Sequence, residues 1–440
     1  MTLPEPSRRD TRLDTYVDAY AERTHGLTVS AVRALFAVAN RPEVVSLAGG
    51  MPNIADLPRE ALGETVAKLI RDQGIQAMQY GSGQGELFMR EKITEVMAEE
   101  SIHAHPDDVV VSCGSQQALD LVTRVFCDPG DIVLAEAPSY VGALGTFAAY
   151  QTEVVHVAMD DDGIIPAALA HAVVTLRAAG RKVKFLYTIP NFQNPTGVTQ
   201  SLERRRELVD VARQHDLLIV EDNPYGLLTL DDAPLPAIRS LDAENVVYLG
   251  SFSKTFAPGF RVGWALAPHA VREKLVLAQE AATLAPPVFS QFVISAYLDQ
   301  FDWRGQIDTY RRMYRERREA MFTGLTENMP EGTTWTHPRG GFFVWVTLPE
   351  GLDSQAMLPR AVSARVAYVP GPAFYADGLG SRNMRVSFCF PTPERIIEGT
   401  RRLGEVIEGE LDMIRTFGIT ATPETRPYLD QATGPAPDIS

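Results

Sequence analysis

Cysteine is scarce in this sequence. The 440 residues include only Cys113, Cys127 and Cys389. They are far apart and odd in number, so neither a disulfide framework nor a zinc site with paired cysteines can be drawn. A reducing compartment is the simplest interpretation, and no metal site is predicted.

Long apolar runs and an excess of positive charge are also missing. No stretch of about 18 uninterrupted apolar residues occurs, which excludes a membrane-spanning helix at the level of sequence. The first 25 residues carry charges throughout and contain no apolar run of signal-peptide length. We therefore expect a cytoplasmic protein. Lys and Arg number 41 against 56 Asp and Glu, a formal charge of −15, which disfavours nucleic acid or anionic membranes as partners.

An alternation of β-rich runs and helical patterns extends from about residue 106 to 267. It predicts an α/β fold with a mostly parallel seven-stranded sheet that helices cover on both faces. Several of the runs are too apolar for a half-exposed sheet. The predicted strands are Val109–Ser112, Ile132–Ala135, Val154–Val157, Val183–Thr188, Leu217–Glu221, Val246–Leu249 and Val262–Ala265.

The remaining chain has a different character. After Pro268 two long helical patterns run to about Leu325, and within them 310–318 alternates charge like a solvated helix face. Strands and turns from Trp335, followed by a helix from Pro393 to about Ile414, predict a smaller α+β domain. We expect an N-terminal arm or helix that is part of the small domain (1–45), a large domain (46–328), a small domain (329–416) and a disordered tail (417–440).

Lys254 is the first residue with a chemical signature. It closes the segment Ser251-Phe252-Ser253-Lys254, directly after an apolar strand. Ligands bind at this edge of an open α/β sheet, and a lysine partly removed from water there becomes an amine nucleophile. Taken alone, the segment fits a surface lysine equally well.

Asp222 and Tyr225 lie at the end of the preceding strand, and Asp222 comes 32 residues before the lysine. A buried carboxylate can keep the nitrogen of a pyridine cofactor protonated, and a tyrosine hydroxyl can bind the ring's phenolic oxygen. An Asx-Pro turn is the alternative for this segment. It does not explain the alignment with Lys254.

Two more loops follow strands at the same predicted edge. Asn194, in the segment 190–197, can donate its amide to the same phenolic oxygen, although Asn-Pro and Thr-Gly are also ordinary turn pairs. Gly114, Ser115 and Gln116 begin a helix, where free N–H groups favour a phosphate. A plain helix N-cap is the alternative.

Other residues near these loops extend the pattern. Arg261 offers a forked cation for phosphate oxygens, and Ser251 and Ser253 offer hydroxyls. Tyr140 can stack on a cofactor ring, or serve as a core or interface aromatic. Loops after four or five different strands thus open on one edge of one sheet.

The ordered motifs resemble the fold-type I, class I/II pyridoxal-phosphate aminotransferases, particularly the branch of the 2-aminoadipate and kynurenine aminotransferases. The resemblance covers about residues 28 to 414. The motifs that carry it are Ser46-Leu47-Ala48-Gly49-Gly50-Met51-Pro52, Gln79-Tyr80-Gly81, Gly114-Ser115-Gln116-Gln117, Asn194-Pro195-Thr196-Gly197, Asp222-Asn223-Pro224-Tyr225, Ser251-Phe252-Ser253-Lys254 and Asn383-Met384-Arg385-Val386.

This resemblance implies pyridoxal 5'-phosphate as the cofactor and assigns a role to each motif. Lys254 is implied to bind the cofactor covalently and to carry the proton, and Asp222 to pair with the ring nitrogen. Asn194 and Tyr225 are implied to bind the phenolic oxygen. The implied phosphate ligands are Gly114, Ser115, Gln116, Ser251, Ser253 and Arg261.

Substrate and partner contacts are implied in the same way. Arg385 matches the arginine for the substrate α-carboxylate, with Gly49 close to the substrate. Tyr80 resembles a residue that reaches the phosphate of the neighbouring subunit, which implies a homodimer with shared active sites. Ser30 and Arg33 fall in a segment similar to the helix that recognises substrate side chains, where Arg33 can meet an acidic group. A solvated helix arginine is the alternative for Arg33.

Departures from the family pattern are Leu57, Asn223, Phe256 and Phe260. Leu57 lies in the region associated with substrate choice, so the amino donor stays open. The motifs predict a ping-pong transfer of an amino group from an L-amino acid to a 2-oxo acid, with 2-oxoglutarate expected as acceptor.

Two alternatives remain at this stage. The same lysine and cofactor serve β-elimination, decarboxylation or oxidation. A ligand-sensing domain of a transcription regulator is the other, but about 27 residues before the matching region are too few for a winged helix, and the charge is acidic.

Overall fold

The structure is a computed structural model that describes residues 16, 19–24 and 41–418. The predictions for Ser30, for Arg33 and for the tail beyond 418 lie outside these residues. In chain order the strands are β1 Val45–Ser46, β2 Val109–Ser112, β3 Ile132–Glu136, β4 Glu153–Val157, β5 Met159–Asp160, β6 Gly163–Ile164, β7 Val183–Thr188, β8 Leu218–Asp222, β9 Val246–Ser251, β10 Gly263–Leu266, β11 Thr334–Trp335, β12 Phe343–Thr347, β13 Val366–Ala367, β14 Val369–Pro370 and β15 Asn383–Ser387.

Helices alternate with these strands over most of the chain. The α-helices are α1 Arg59–Ala77, α2 Leu87–Met97, α3 Ser115–Phe126, α4 Val141–Ala149, α5 Pro166–Ala178, α6 Leu202–Gln214, α7 Ile238–Leu241, α8 His269–Thr283, α9 Val288–Gln300, α10 Trp303–Asn328, α11 Ser354–Ser363 and α12 Pro393–Phe417. Short 3-10 segments are Glu22–Thr24, Ala98–Glu100, Pro106–Asp108, Pro258–Phe260 and Gly371–Phe374. No helix within 41–418 is long and apolar enough to cross a membrane.

A seven-stranded sheet forms the centre of the molecule, with the strand order β2-β10-β9-β8-β7-β3-β4. Strand β10 runs antiparallel to both of its neighbours, and the other pairings are parallel. The predicted mostly parallel sheet and its seven strands are confirmed, with bounds that move by one or two residues. Because β3, β7, β8 and β9 run in one direction, their carboxyl ends meet at one edge.

Both faces of this central sheet are buried. Val133 and Val220 join an apolar cluster on one face, whereas Leu134 and Ile219 join a second cluster on the other. Successive side chains of a strand point to opposite faces, so near-continuous apolar runs are what a sheet covered on both sides requires.

The segment after Pro268 differs from its prediction. Three helices, α8 to α10, replace the two expected. The solvated face predicted for 310–318 is only partly correct. Arg312, Arg315 and Glu316 are exposed, but Tyr310, Tyr314, Arg317 and Arg318 are buried. Arg317 donates to the carbonyl of Cys389 and Arg318 pairs with Asp231. Long arginine stems cover apolar surface while their heads find partners, and charge alternation alone does not reveal this.

A smaller antiparallel sheet, β11-β12-β15-β14, completes the fold. Its helix α12 packs along α10 and ends at Phe417, three residues beyond the expected end. Trp345 on β12 pairs in register with Arg385 on β15. The two sheets support the proposed division into a large and a small domain, 46–328 and 329–416, which stays a proposal.

Candidate active site

A cavity of about 460 Å³ lies at the carboxyl edge of the central sheet. It collects side chains from loops after several strands, as the topology predicts. Eleven predicted site residues line it: Ser115, Gln116, Tyr140, Asn194, Asp222, Tyr225, Ser251, Ser253, Lys254, Arg261 and Arg385.

Lys254 follows β9 and points its amine at the loop after β1. Its Nζ donates to the carbonyl oxygen of Gly50 at 2.8 Å and lies 5.7 Å from the centre of the Phe342 ring. Burial lowers the pKa of this amine to about 8, and the nearby cations Arg385 and Arg261 act in the same direction. A neutral amine is therefore accessible near neutral pH, and a neutral amine is a nucleophile.

Asp222 ends the neighbouring strand β8. Its Oδ2 accepts a hydrogen bond of 2.7 Å from the hydroxyl of Tyr187 on β7, and its Oδ1 is buried without a partner among the described residues. Burial raises the pKa of the carboxyl to about 6, while Tyr187 and Lys254 oppose that rise. The carboxylate is thus ionised near pH 7 with one acceptor oxygen free. A protonated ring nitrogen fits that oxygen.

Arg385 projects from β15 into the same cavity and is almost fully buried. Its Nη1 donates to Asn194 Oδ1 and its Nη2 to the carbonyl of Ala48, both at 2.8 Å. Its Nε has no partner among the residues that the structure describes, and the Phe343 ring lies 4.1 Å from the guanidinium carbon. Burial lowers the pKa of Arg385 to about 10. No carboxylate within 41–418 pairs with this buried cation, so it is an anion-binding group whose anion comes from outside.

Asn194 and Tyr225 both line the cavity. Because Asn194 Oδ1 accepts from Arg385, its Nδ2 is left as a donor. The Tyr225 ring packs edge-on against Phe342 and Phe343, and burial raises the pKa of its phenol. The hydroxyl therefore keeps its proton and can donate it to an oxyanion.

An anion cradle forms where α3 begins. The first N–H groups of a helix have no partner within it, and Gly114 precedes them with φ of 80°. Arg261 donates to the carbonyl of Cys113 at 2.9 Å, and a Cβ placed on Gly114 would overlap its guanidinium. The cradle is shaped for a phosphate that the helix N-terminus and Arg261 hold together.

The side chains of two predicted phosphate ligands, Gln116 and Ser251, form hydrogen bonds with other residues of the protein. The side-chain amide of Gln116 donates to Thr146 Oγ1 at 2.7 Å and to the carbonyl of Gly142. Its main-chain N–H is therefore the group available to a phosphate. The hydroxyl of Ser251 donates to that of Ser253 at 2.9 Å. Both hydroxyls thus lie in the segment that leads to Lys254.

Other predicted residues lie outside the cavity. Gly49 is next to the cavity-lining Gly50, whose carbonyl is the one that Lys254 contacts. Tyr80 is 79% exposed on the surface of the chain. Ser30 and Arg33 are outside the described residues.

Sequence reasoning missed Tyr187, Phe343 and Cys389. Tyr187 looked like one more apolar position of β7, yet it is the hydrogen-bond partner of Asp222. Cys389 donates its thiol to the carbonyl of Met51 at 3.2 Å and helps to hold the loop that carries Gly50. Nothing in the local pattern signals these contacts, because the partners come from distant parts of the chain.

Comparisons with known proteins agree with this geometry. The family described as aminotransferase class I and II matches residues 44–403. The aromatic-amino-acid aminotransferase 1 of Thermococcus litoralis is 42% identical over 90% of this chain and 95% of its own. The 2-aminoadipate transaminase of Thermus thermophilus is 36% identical over 91% of this chain and 99% of its own.

Solved structures give the same answer for the fold. The kynurenine aminotransferase of Pyrococcus horikoshii superposes with a TM-score of 0.85 at 39% identity, covering 89% of this chain and 97% of its own. With the family match over most of the chain, the chain belongs to the class I and II aminotransferases, which use pyridoxal 5'-phosphate to transfer an amino group from an amino acid to a 2-oxo acid.

Proposed function

We propose that the residues of the cavity divide the work of a ping-pong amino transfer, with Lys254 as the covalent and proton-transferring group. When bound, pyridoxal phosphate supplies an electron sink for the bonds at the substrate α-carbon. The observation that carries the proposal is a lysine amine of lowered pKa, within one cavity with Asp222, Asn194, Tyr225 and Arg385.

Asp222, Tyr225 and Asn194 would hold the cofactor ring. The Oδ1 of Asp222 would accept a hydrogen bond from the protonated ring nitrogen, and the negative charge of the carboxylate would keep that nitrogen protonated. The Tyr225 hydroxyl and Asn194 Nδ2 donate to the phenolic oxygen. The cradle of Gly114, Ser115 and Arg261 takes the phosphate.

Arg385 and Lys254 would act on the substrate. The guanidinium of Arg385 binds the α-carboxylate, which supplies the anion that this buried cation lacks. The neutral Lys254 amine would take up the substrate α-proton and would return it later in the reaction, while the bound cofactor would supply the electron sink. The 2-oxo acid acceptor, for which we propose 2-oxoglutarate, reverses the same steps.

For the amino donor we propose an L-amino acid with a large side chain, either aromatic or a long dicarboxylic one. The names of the similar proteins include aromatic amino acids, 2-aminoadipate and kynurenine. Met51, Tyr140, Val141 and Phe343 give the cavity apolar walls that suit a large side chain. Arg33 would meet an acidic side chain.

We also propose a homodimer. Tyr80 stands in an apolar surface patch, with Ile75 84%, Met78 67% and Leu284 56% exposed. Large exposed apolar patches mark interfaces. A second copy of the chain would cover this patch, and Tyr80 would then reach the phosphate in the partner subunit. Light scattering would test the homodimer, because Ile75→Asp is expected to yield monomers and Tyr80→Ala to remain dimeric.

A cytoplasmic location remains a proposal. Cys127 and Cys389 are buried free thiols, which suits a reducing compartment. Detection of the protein in fractionated cells would test it.

The function is tested by the absorbance of the purified protein before and after adding amino acids, with 2-oxoglutarate added last. The proposal expects a visible band of lysine-bound cofactor that bleaches with a suitable donor and returns with the acceptor. Lys254→Ala should lack the band, and Lys274→Ala, which changes an exposed lysine of α8, should keep it. Release of ammonia or carbon dioxide without an acceptor would instead favour the elimination or decarboxylation alternative.

A further inference from the structure

His156 is a buried histidine outside the cavity, with both ring nitrogens in use. It lies on β4, the edge strand of the central sheet, and is 5% exposed. Its Nδ1 contacts the carbonyl oxygen of Glu136 at 2.7 Å, and its Nε2 accepts from the main-chain N–H of Ala376 at 2.9 Å. One imidazole therefore joins the central sheet to the segment that precedes β15.

These two contacts fix the protonation state of the ring. A main-chain N–H only donates and a carbonyl only accepts, so Nε2 carries no proton and Nδ1 carries one. A doubly protonated ring would set an N–H against the N–H of Ala376. The contact between His156 and Ala376 thus requires the neutral imidazole.

Each nitrogen starts a route to Arg385. On the Nδ1 side, the carboxylate of Glu136 accepts from Gln193 at 3.0 Å, and the next residue, Asn194, accepts from Arg385. The Glu136 carboxylate also accepts from the hydroxyl of Thr188 at 2.6 Å. These contacts of Glu136 hold the loop that carries Asn194 in position.

On the Nε2 side, Ala376 lies two residues after Phe374. The Phe374 ring is fully buried, 5.1 Å from the guanidinium carbon of Arg385 and 5.4 Å from the ring of Trp345. A second link, from Ser139 N to the carbonyl of Phe374 at 2.8 Å, runs beside the first. Two separate series of contacts therefore connect His156 with Arg385.

We propose that His156 is a positioning residue for Arg385, which it holds through Ala376 and Phe374 on one side and through Glu136 and Asn194 on the other. This inference rests on the proposed role of Arg385 in binding the substrate carboxylate. It predicts that the contact of His156 with Ala376 governs the affinity for the substrate, whereas the proposed cofactor ligand Asn194 is affected only when the contact with Glu136 is lost as well.

The link is sensitive to pH. Burial lowers the pKa of His156, and Asp377 opposes that change. The other groups that face the ring are the Glu136 carbonyl and the Tyr375 ring, whose centre is 5.5 Å away. As the pH falls through the pKa of His156, the imidazole gains a proton, the contact with Ala376 is lost and the KM of the amino donor rises.

Three variants of the holoenzyme separate the two nitrogens. His156→Gln can keep an acceptor for Ala376, His156→Asn can keep a donor for Glu136, and His156→Phe keeps neither. The readouts are the KM and kcat of the donor that the wild type converts best. Affinity for the unreactive deamino analogue of that donor, followed by the cofactor absorbance, is the third readout. His171→Phe changes an exposed histidine of α5 and is the control.

We expect His156→Phe and His156→Asn to raise the donor KM and the Kd of the analogue by about tenfold, the size of one hydrogen bond. His156→Gln should stay near the wild type and should lose the rise in KM at low pH. In His156→Asn, which keeps the Glu136 side and with it Asn194, the cofactor band and kcat should change by less than about twofold.

Equal KM values in the wild type and His156→Phe would overturn the proposal, as would a loss of kcat with no change in the Kd of the analogue. If His156→Phe does not fold, the comparison of His156→Asn with His156→Gln decides. A wild type without a cofactor band would refute the proposed function instead, which is a different outcome.

Discussion

Tyr187 donates its hydroxyl to Oδ2 of Asp222 across neighbouring strands, and Oδ1 of the same carboxylate is left without a partner among the described residues. In the register of the sheet Tyr187 pairs with Val220, and Asp222 lies two residues further along the same face. Burial raises the pKa of Asp222 to about 6 and Tyr187 counteracts that rise. The tyrosine therefore preserves the negative charge that the cofactor needs.

The first prediction concerns that hydrogen bond. Tyr187→Phe should raise the pKa of Asp222, because it removes a donor to the charged form. The acid limb of the reaction with the amino donor should then move up by about one pH unit, since a hydrogen bond to a charged group is worth about 1.5 kcal/mol or more. The pH dependence of single-turnover rates measures this, and carboxyl-carbon NMR of the apoprotein reports the pKa itself.

Tyr150→Phe is the matched control for this change. Tyr150 also donates to a carboxylate, Asp120, at 3.2 Å, but on helices away from the cavity edge. It should leave the pH profile unchanged. Identical profiles for the wild type and Tyr187→Phe would refute the role given to Tyr187.

The second prediction is that Asp222 destabilises the empty protein. Its pKa in the folded state is raised from 3.8 to about 6, so the stability linked to its protonation is present at low pH and is lost as the pH rises through 6. Asp222→Asn removes this dependence. The apoprotein of the variant should gain up to about 3 kcal/mol in free energy of unfolding over the wild type above about pH 7.

Urea unfolding of both apoproteins across the pH range tests this, and the difference should shrink towards about pH 4. A difference that does not vary with pH would contradict it. The same variant should bind the cofactor more weakly, so stability and function should change in opposite directions.

The third prediction concerns the phosphate cradle. Gly114 and Gly130 both have positive φ, 80° and 83°, which alanine adopts only with strain. A Cβ at Gly114 would overlap the Arg261 guanidinium, whereas one at Gly130 would meet nothing within 4 Å. Gly114→Ala should therefore weaken binding of pyridoxal phosphate by about tenfold or more, since it displaces a charge-assisted contact.

Titration of the two apoproteins with cofactor checks this, with inorganic phosphate as a competitor. Gly130→Ala should bind cofactor like the wild type and should lose only stability. Equal affinities in the two variants would mean that Arg261 does not hold the phosphate.

The fourth prediction concerns Asn223, where the chain departs from the family pattern. Its Nδ2 donates to the buried carboxylate of Glu100 at 2.6 Å. Its Oδ1 accepts from Asn191 at 2.9 Å and from the N–H of Gly226 at 3.0 Å. Asn223 thus connects the loop of Asn194 to the loop of Asp222 and Tyr225. Burial raises the pKa of Glu100 to about 7.

Asn223→Asp would set two buried carboxylates against each other. We expect a loss of about 3 kcal/mol in free energy of unfolding above pH 7, as for an uncompensated buried charge, and a smaller loss at low pH. Asn245→Asp is the control, because Asn245 also donates to a carboxylate, Asp242, at 3.0 Å but is partly exposed. Equal losses in the two variants would contradict the role of burial.

One strand and three site residues show what could be predicted from the sequence. The strand Val183–Thr188 was predicted with its bounds, because a short run rich in apolar and aromatic residues between turns determines a buried strand locally. Parallel strands end at one edge, so Asn194, Asp222 and Lys254 were expected in one place and are found there.

The individual side-chain contacts, in the cavity and elsewhere, were not predictable from the sequence. Gln116 was expected to bind phosphate, but its side-chain amide is engaged by Thr146. Arg317 and Arg318 were expected in solvent and are buried. In both cases the partner is distant in sequence, and no local pattern reports it.

By itself, the sequence determined the strands, the mostly parallel character of their sheet and the identity of the groups at its edge, because these follow from local hydrophobicity and from the rule that parallel strands share an edge. Only the tertiary structure decided which oxygen of Asp222 is free, which loop Asn223 connects and how His156 reaches Arg385. Those relationships depend on packing between segments far apart in the chain, where a hydrogen bond forms only once burial and geometry have brought its two partners together.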